Sequence, residues 1–172
     1  MIYPRIDRLR AAAGVDRFHT AQTLRTETVG HHSFNVANLL LMMTEGECSK
    51  RLIVAALLHD LGEVIVGDIP SPTKKKLPEE VQSKLEEMEE EAVKYIHPYA
   101  PDLTADEWRV LKLADNLDGL LKCRDELRLG NRNVRPIGDR YLSYIDILTE
   151  GWYDYEVFVR ECKMLYIAEV EK

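Results

Sequence analysis

The sequence of 172 residues contains few cysteines and no long apolar run. Its three cysteines, Cys48, Cys123 and Cys162, are far apart, which excludes a zinc knuckle and argues against a disulfide scaffold. No apolar stretch approaches the roughly 18–20 residues of a membrane-spanning helix, and the first residues lack the apolar segment of a secretory signal. We therefore expect reduced thiols, no membrane partner and a cytoplasmic location.

Positive charge is also scarce, since 23 Lys and Arg stand against 30 Asp and Glu, for a net charge of −7. This balance argues against binding to a nucleic-acid polymer or to an anionic membrane surface, because both recruit net positive charge. The negative charge is concentrated in residues 79–91, whereas Lys74, Lys75 and Lys76 form a local cationic run. The composition therefore leaves a small anionic substrate open.

Strand-like alternation is missing, and Pro and Gly fall between segments of helical periodicity. We predict an all-α fold, a single compact helical bundle in one domain over residues 1–172. A loop is expected over residues 15–30 and a break over residues 67–72. The predicted helices cover residues 6–14, 33–45, 49–58, 78–95 and 104–129, with two more that begin near Pro136 and Trp152. In the fourth helix, the spacing of Val81, Leu85, Met88, Ala92 and Tyr95 predicts one core-facing stripe.

A histidine and an aspartate end the most apolar predicted helix. His59 and Asp60 follow residues 55–58, a position where polar side chains are costly unless a partner satisfies them. Imidazole and carboxylate groups are common ligands of divalent transition metals. Glu63 follows four residues after His59, on the same helix face, and Asp68 lies in the break. By itself the His-Asp pair also fits a core histidine beside a helix-end carboxylate.

Two further polar residues occupy apolar helices elsewhere in the chain. His32 stands at the start of one such helix, and Asp115 lies inside another. With His59 and Asp60 they make two imidazoles and two carboxylates on three helices. Four ligands that leave positions open for water are typical of a catalytic metal site. The residues therefore predict a metal centre.

This pattern resembles the HD-domain metal-dependent phosphohydrolase superfamily, and most closely its small bacterial 5′-deoxynucleotidases. The likeness extends over roughly residues 5–130. It rests on three stretches: Arg17-Phe18 with Arg25-Thr26-Glu27-x-Val29-x-x-His32-Ser33; His59-Asp60-x-x-Glu63-Val64-x-x-Gly67-Asp68-Ile69-Pro70-Ser71-Pro72-x-Lys74; and Lys112-x-Ala114-Asp115 with Leu121-Lys122-Cys123 and Glu126-Leu127. The resemblance implies an HD-type bundle that hydrolyses deoxynucleoside 5′-monophosphates to a deoxynucleoside and phosphate.

The resemblance also implies roles for individual residues. Glu63 would orient or deprotonate the attacking water, and Asp68 would protonate the leaving oxygen or hold the sugar. The alternatives are a solvated helix carboxylate for Glu63 and a turn residue for Asp68. His31 is expected to face solvent. One divalent transition metal (Co, Mn or Zn) would be held by His32, His59, Asp60 and Asp115.

On the substrate side, the resemblance implies that Arg17 binds the phosphate and that the ring of Phe18 packs against the deoxyribose. The family usually has Trp where this chain has Phe18. Because phenylalanine lacks the indole N–H donor, the strictness of deoxy over ribo selection is open. The other expected substrate contacts are Asp68, Ile69, Pro70, Ser71, Lys74 and Lys75.

The three consecutive lysines leave the number of substrate phosphates open. They fit either a solvated loop or a clamp for a longer polyphosphate. A phage branch of the same family removes triphosphate from dATP, so a dATP-type triphosphohydrolase is the alternative, with Mg on the polyphosphate and the host cytoplasm as its location. A non-catalytic nucleotide-binding module is a further alternative. By resemblance, we expect a homo-oligomer, a dimer or higher.

Overall fold

The computed structural model describes residues 3–172 and is built almost entirely from helices, which confirms the all-α prediction. None of the helices in this described range is long and apolar enough to cross a membrane. Two short strands, β1 (Asp16–Arg17) and β2 (Glu27–Thr28), and a 3-10 turn (Arg132–Val134) interrupt the helices. The helices are α1 (Tyr3–Ala13), α2 (Val29–Met43), α3 (Lys50–Leu58), α4 (Glu63–Val66), α5 (Ser71–Lys74), α6 (Glu79–Ile96), α7 (Ala105–Arg128), α8 (Arg135–Thr149) and α9 (Glu156–Val170).

Side-chain caps define where several helices begin. The Ser49 hydroxyl accepts a hydrogen bond from the Leu52 amide at the start of α3, and Thr104 forms a capping box with Glu107 at the start of α7. Helix α2 begins four residues earlier than predicted, because the Thr28 hydroxyl accepts a hydrogen bond from the amide of His31.

Helix α7 lies at the centre of the molecule, packed against α2, α3, α8 and α9. Its residues Leu113, Leu117 and Leu120 are fully buried in the main hydrophobic cluster, which also includes Val36 and Leu40 of α2. Polar side chains on such a helix cannot reach water and need partners within the protein. The buried acidic residues of α7, Asp118 and Glu126, therefore mark places where polar contacts lie within the core.

Helix α6 corrects one detail of the sequence-based picture. Its buried side chains are Ala92 and Ile96, whereas Val81 and Tyr95 of the predicted stripe remain 42% and 50% exposed. The helix packs on α1 and α4, which are much shorter than α6. The apolar side chains of α6 have the regular spacing of one helix face, but the neighbouring helices cover only part of that face.

The predicted loop before α2 contains the one pair of strands in the described residues. β1 and β2 pair antiparallel, with Arg17 opposite Glu27. Strands of two residues are too short to produce a period-2 pattern in the sequence. The pairing folds the loop back on itself, and Arg17 thereby contacts Asp60 in the turn after α3.

Candidate metal centre

Two imidazoles and two carboxylates meet where α2, α3 and α7 come together. The Nε2 atom of His32 lies 3.2 Å from Nε2 of His59 and 3.1 Å from Oδ1 of Asp115. Oδ2 of Asp60 lies 3.5 Å from Nε2 of His32 and 3.4 Å from Nε2 of His59. Both imidazoles are buried and both carboxylates are nearly so. The structure thus brings together the four residues that the sequence singles out.

The second nitrogen of each imidazole is bound to an acceptor within the protein. Nδ1 of His59 lies 2.8 Å from the carbonyl oxygen of Ala56, and Nδ1 of His32 lies 2.7 Å from Oδ2 of Asp118. A carbonyl and a carboxylate can only accept, so Nδ1 donates in both cases. In the neutral imidazoles, both Nε2 atoms are then free to act as metal ligands.

This donor set fits a divalent cation. Two unprotonated Nε2 atoms and two carboxylate oxygens would repel one another at these distances unless positive charge lay among them. Burial opposes protonation of His32, but its hydrogen bonds to Asp115 and Asp118 outweigh burial and raise its pKa to about 9. Burial lowers the pKa of His59. Positive charge is therefore favourable within the cluster, either as a proton on His32 or as a bound divalent cation, and His32, His59 and Asp115 offer a group of donor atoms that could hold such an ion.

Both carboxylates of the cluster are held ionised by nearby cationic groups. Burial acts to raise the pKa of Asp60, but the charges of His59 and Arg17 outweigh it and lower that pKa. Burial is likewise outweighed at Asp115, where Lys112, 3.1 Å away, and His32 hold the pKa well below its usual value. Both side chains are thus available as anionic ligands at neutral pH.

Glu63 is the first residue of α4 and lies beside this cluster, so the expectation that it shares a helix face with His59 is wrong, because α3 ends at Leu58. Its Oε2 atom is buried and has no hydrogen-bond partner among the described residues. Burial, followed by the charges of Asp60 and Asp68, raises the pKa of the Glu63 carboxyl to about 9. A buried carboxyl with a raised pKa beside a candidate metal site is a typical candidate for acid–base chemistry.

Arg17 and Phe18 form one side of the site. Nη1 of Arg17 donates to Oδ2 of Asp60 at 2.5 Å, and its Nε lies 3.5 Å from Oε2 of Glu27. Two carboxylates therefore hold the guanidinium, which leaves other N–H groups of its fork free to bind a ligand. Phe18 has a φ of 57°, in the left-handed region, and its ring centroid lies 6.4 Å from that of Tyr141.

The remaining expected substrate contacts are spread over the loop and turn that follow α4. Asp68, Ile69 and Pro70 are partly buried, whereas Ser71, the first residue of α5, is exposed. The structure also separates the neighbouring lysines. Lys74 donates to both carboxylate oxygens of Glu89, at 3.0 and 3.2 Å, whereas Nζ of Lys75 lies 5.1 Å from the centre of the Tyr144 ring. His31 is exposed and lies outside the cluster, as expected.

The structure adds three residues to which the sequence analysis gave no role. Asp118 binds His32, Glu27 pairs with Arg17, and Glu126 accepts hydrogen bonds from the backbone of the loop before α2. All three carboxylates are buried. Asp118 and Glu126 lie in the most buried helix, and that position could have indicated them from the sequence. Glu27 lies in the predicted loop over residues 15–30, so nothing in its sequence position indicated that its side chain is buried.

Glu126 of α7 holds residues 24–25 of the loop before α2 in place. Its carboxylate accepts hydrogen bonds from the amides of Leu24 and Arg25, at 2.6 and 3.0 Å, and from Lys122 and Asn131, both at 2.9 Å. Burial acts to raise the pKa of Glu126, but these hydrogen bonds outweigh it and lower the pKa to about 2. The contact holds in place the segment that carries Arg17 and Phe18.

The sequence is similar to a known family of enzymes. Residues 5–163 match the model of a family described as 5′-deoxynucleotidase YfbR-like. A 5′-deoxynucleotidase from Photorhabdus laumondii is 30% identical over 161 residues, which cover 77% of this chain and 82% of that protein. The 5′-deoxynucleotidase YfbR of Salmonella typhi is 27% identical over 164 residues, 82% of this chain and 81% of that protein.

Two solved structures show the same fold. An HD-domain phosphohydrolase from Listeria innocua superimposes with a TM-score of 0.74 at 21% identity, over 97% of this chain and 90% of that one. A conserved hypothetical protein from Pyrococcus furiosus superimposes with a TM-score of 0.73 at 23% identity, over 94% of this chain and 99% of that one. The predicted HD-type helical fold is confirmed.

Proposed function

This chain belongs to the YfbR-like 5′-deoxynucleotidase family of hydrolases, and we propose that it converts deoxynucleoside 5′-monophosphates to deoxynucleosides and phosphate in a metal-dependent reaction. The observation that carries the proposal is the convergence of the His32, His59, Asp60 and Asp115 donor atoms, whose measured contacts are 3.1–3.5 Å. Imidazole and carboxylate donors gathered at one point of a helical core are the usual arrangement of a metal site.

We assign these four residues as the ligands of one divalent ion, Co, Mn or Zn. When bound, the ion would lower the pKa of a coordinated water toward ~7 and offset charge on the phosphoryl oxygens. The hydrogen bonds from the two Nδ1 atoms, to Asp118 and to Ala56, keep the imidazole rings oriented for this role.

Glu63 is the proposed general base. In its carboxylate form it accepts a proton from the water that attacks phosphorus, and positive charge in the cluster favours that form. The new P–O bond forms as the bond from phosphorus to the 5′ oxygen breaks. Asp68 lies in the turn after α4 and is proposed either to protonate the departing 5′ oxygen or to hold the sugar. Its charge acts on Glu63, which supports its placement at the same site.

Arg17 is proposed to bind the phosphate and Phe18 to pack against the sugar. The contacts of Arg17 with Asp60 and Glu27 fix the position of its guanidinium before substrate binds. Little conformational entropy of the side chain is therefore lost when the phosphate binds. Partly buried neighbours in the α4–α5 segment, Ile69 and Pro70, are proposed to line the same pocket.

The separation of the lysines favours a monophosphate substrate. Lys74 is engaged with Glu89 of α6, so the run of three lysines does not act as one clamp for a polyphosphate. Lys75 packs on Tyr144 of α8 and is the lysine we assign to the substrate. The alternative is a dATP-type triphosphohydrolase reaction with Mg on the polyphosphate. The phosphate-release assay described below distinguishes the two reactions.

We also propose that the protein forms a homo-oligomer. Exposed apolar side chains along α8 and α9 support this, among them Ile147 (65% exposed), Val157 (59%) and Met164 (62%). Light scattering of the purified protein tests the proposal, and a mass of one chain at all concentrations would contradict it.

The function is tested by phosphate release from dAMP and from dATP with Co, Mn or Zn present, followed by chromatography of the products. We expect deoxyadenosine and one phosphate from dAMP. Release of intact triphosphate from dATP, with dAMP left uncut, would replace our proposal by the alternative. Cleavage of neither nucleotide with any of the metals would refute the proposed enzyme activity for these substrates.

A further inference from the structure

A tyrosine of α8 lies against the helix that carries Asp115. The ring of Tyr141 covers Gly119 so closely that a Cβ at that position would be 2.3 Å from Cζ and 2.5 Å from Cε1 of the tyrosine. Gly119 follows Asp115 by four residues, so both lie on the same face of α7, one turn apart. The ring of Tyr141 therefore packs on the face of α7 that carries Asp115, and the missing side chain at Gly119 makes room for it.

The ring of Tyr141 also lies against Phe18, in the loop before α2. Its centroid lies 6.4 Å from that of Phe18, with the two planes inclined by 49°. Arg17, the residue before Phe18, is bonded to Asp60 of the centre. Charges on Arg17, Asp115 and Asp68 all act on the Tyr141 hydroxyl, which supports its position within the site. The two tilted rings thus form an apolar wall next to the place proposed for the phosphate.

The hydroxyl of Tyr141 has no acceptor among the described residues, unlike that of Tyr166, which donates to Oδ1 of Asp139 and to the carbonyl of Arg135. Tyr141 is only partly buried, so its hydroxyl is accessible to solvent or to a ligand. An available donor at the end of an aromatic wall, beside a phosphate-binding arginine, is suited to a sugar, which has an apolar face and polar edges.

We propose that Tyr141 is a substrate-binding residue that forms the sugar subsite together with Phe18 and donates its hydroxyl hydrogen bond to an oxygen of the deoxyribose. This inference rests on the proposed function, because it assumes a nucleotide with its phosphate at Arg17 and the metal centre. The hydroxyl of Tyr141 supplies a hydrogen-bond donor in the same aromatic wall, which the ring of Phe18 cannot supply.

The variant Tyr141→Phe removes only the hydroxyl. With the metal-loaded enzyme, we expect KM for dAMP to rise roughly 3- to 10-fold, the range for one neutral hydrogen bond, with kcat changed less than twofold. The Ki of deoxyadenosine should rise by the same factor, and the Ki of inorganic phosphate should stay unchanged. Tyr153→Phe, at a position 75% exposed in the turn between α8 and α9, is the matched control.

A second variant tests the placement of the ring. Gly119→Ala keeps α7 helical but directs a methyl group at Cζ of Tyr141, so the ring must move. We expect the Ki of deoxyadenosine to rise at least as much as in Tyr141→Phe, with no added effect of Tyr141→Phe in the double variant. Thermal unfolding followed by circular dichroism shows whether either variant changes the fold.

Unchanged deoxyadenosine inhibition in Tyr141→Phe would overturn the inference, and so would a rise in the Ki of phosphate alone. These outcomes are distinct from failure of the proposed function, in which the unaltered enzyme cleaves no deoxynucleotide. In that event, calorimetric titration of the metal-loaded protein and its Tyr141→Phe variant with deoxyadenosine still tests the subsite. Equal affinities there would reject it.

Discussion

The Nδ1 atom of His32 lies 2.7 Å from Oδ2 of Asp118, and both side chains are buried. Asp118 thus contacts the proposed metal ligand His32 at Nδ1, the ring nitrogen that points away from the cluster. Asp115, three residues earlier on the same helix, contacts the opposite nitrogen of the same ring. One turn of α7 therefore contacts both nitrogens of a single imidazole, so the helix sets the ring's orientation and its tautomer.

We expect Asp118→Asn to weaken metal binding by about 10- to 100-fold, because a neutral amide is a poorer acceptor for the His32 Nδ1 proton. Calorimetric titration of the metal-free protein with Mn or Co measures this. Asp125→Asn is the control, since Asp125 lies on the same helix but is exposed beside Arg124. Equal metal affinities of the Asp118 variant and the unaltered protein would contradict the role given to this contact.

Glu63→Gln should lower kcat by about 10²- to 10⁴-fold, the usual contribution of a general base. The amide has the same shape as the carboxyl but cannot accept the proton of the attacking water. The metal affinity should stay within a few-fold of the unaltered value, because Glu63 is not among the proposed ligands. Steady-state kinetics with dAMP and a metal titration of the same preparation test both statements.

A variant that loses metal together with activity would show that Glu63 acts as a ligand. Glu91→Gln, an exposed position on α6, is a suitable control for the loss of one negative charge. Full activity of Glu63→Gln would exclude Glu63 as the base.

Glu126 should make folding stability depend on pH in the acid range. Its pKa is lowered to about 2 from a usual value of 4.5. Because the folded state favours the carboxylate, this contribution is complete above pH ~4.5 and is lost as the pH falls toward ~2. In Glu126→Gln the amide must face the same N–H donors, so we expect a loss of about 2–3 kcal/mol at pH 7.

Urea denaturation of the metal-free protein at pH 7 and at pH 3 measures the effect. The gap between Glu126→Gln and the unaltered protein should narrow at the lower pH. Glu87→Gln, on the exposed face of α6, should change stability by less than about 0.5 kcal/mol at either pH. A gap that stays constant between the two pH values would mean that the charge of Glu126 is not what stabilises the loop.

The two neighbouring lysines should respond differently to substitution by alanine. Lys75→Ala should raise KM for dAMP about 2- to 5-fold, an effect that weakens with added salt, because one partly screened charge is lost. Lys74→Ala should leave KM unchanged and lower the free energy of unfolding by less than about 1 kcal/mol, since its partner is Glu89. A rise in KM for Lys74→Ala but not for Lys75→Ala would reverse our assignment.

Much of the fold could be predicted from local patterns. The capping residues Ser49 and Thr104 and the apolar run before His59 predict helix ends within a few residues of those observed, whereas α5 begins at Ser71, inside the predicted break at residues 67–72. These signals depend on backbone groups and side chains close together in the chain. The polar residues inserted into apolar helices likewise predicted the cluster of imidazoles and carboxylates, because a buried polar group needs a partner in any fold.

The partners that hold the site could not be predicted in this way. Arg17 meets Asp60 across 43 positions of sequence, His32 meets Asp118 across 86, and Glu126 meets Leu24 across 102. Lys74 and Lys75 are indistinguishable in the sequence and have different neighbours in the structure. Local sequence patterns were sufficient to predict most of the helices and which residues form the cluster. The partners of Arg17, His32, Lys74 and Glu126 were decided only by the tertiary structure, because contacts between distant segments depend on the path of the whole chain.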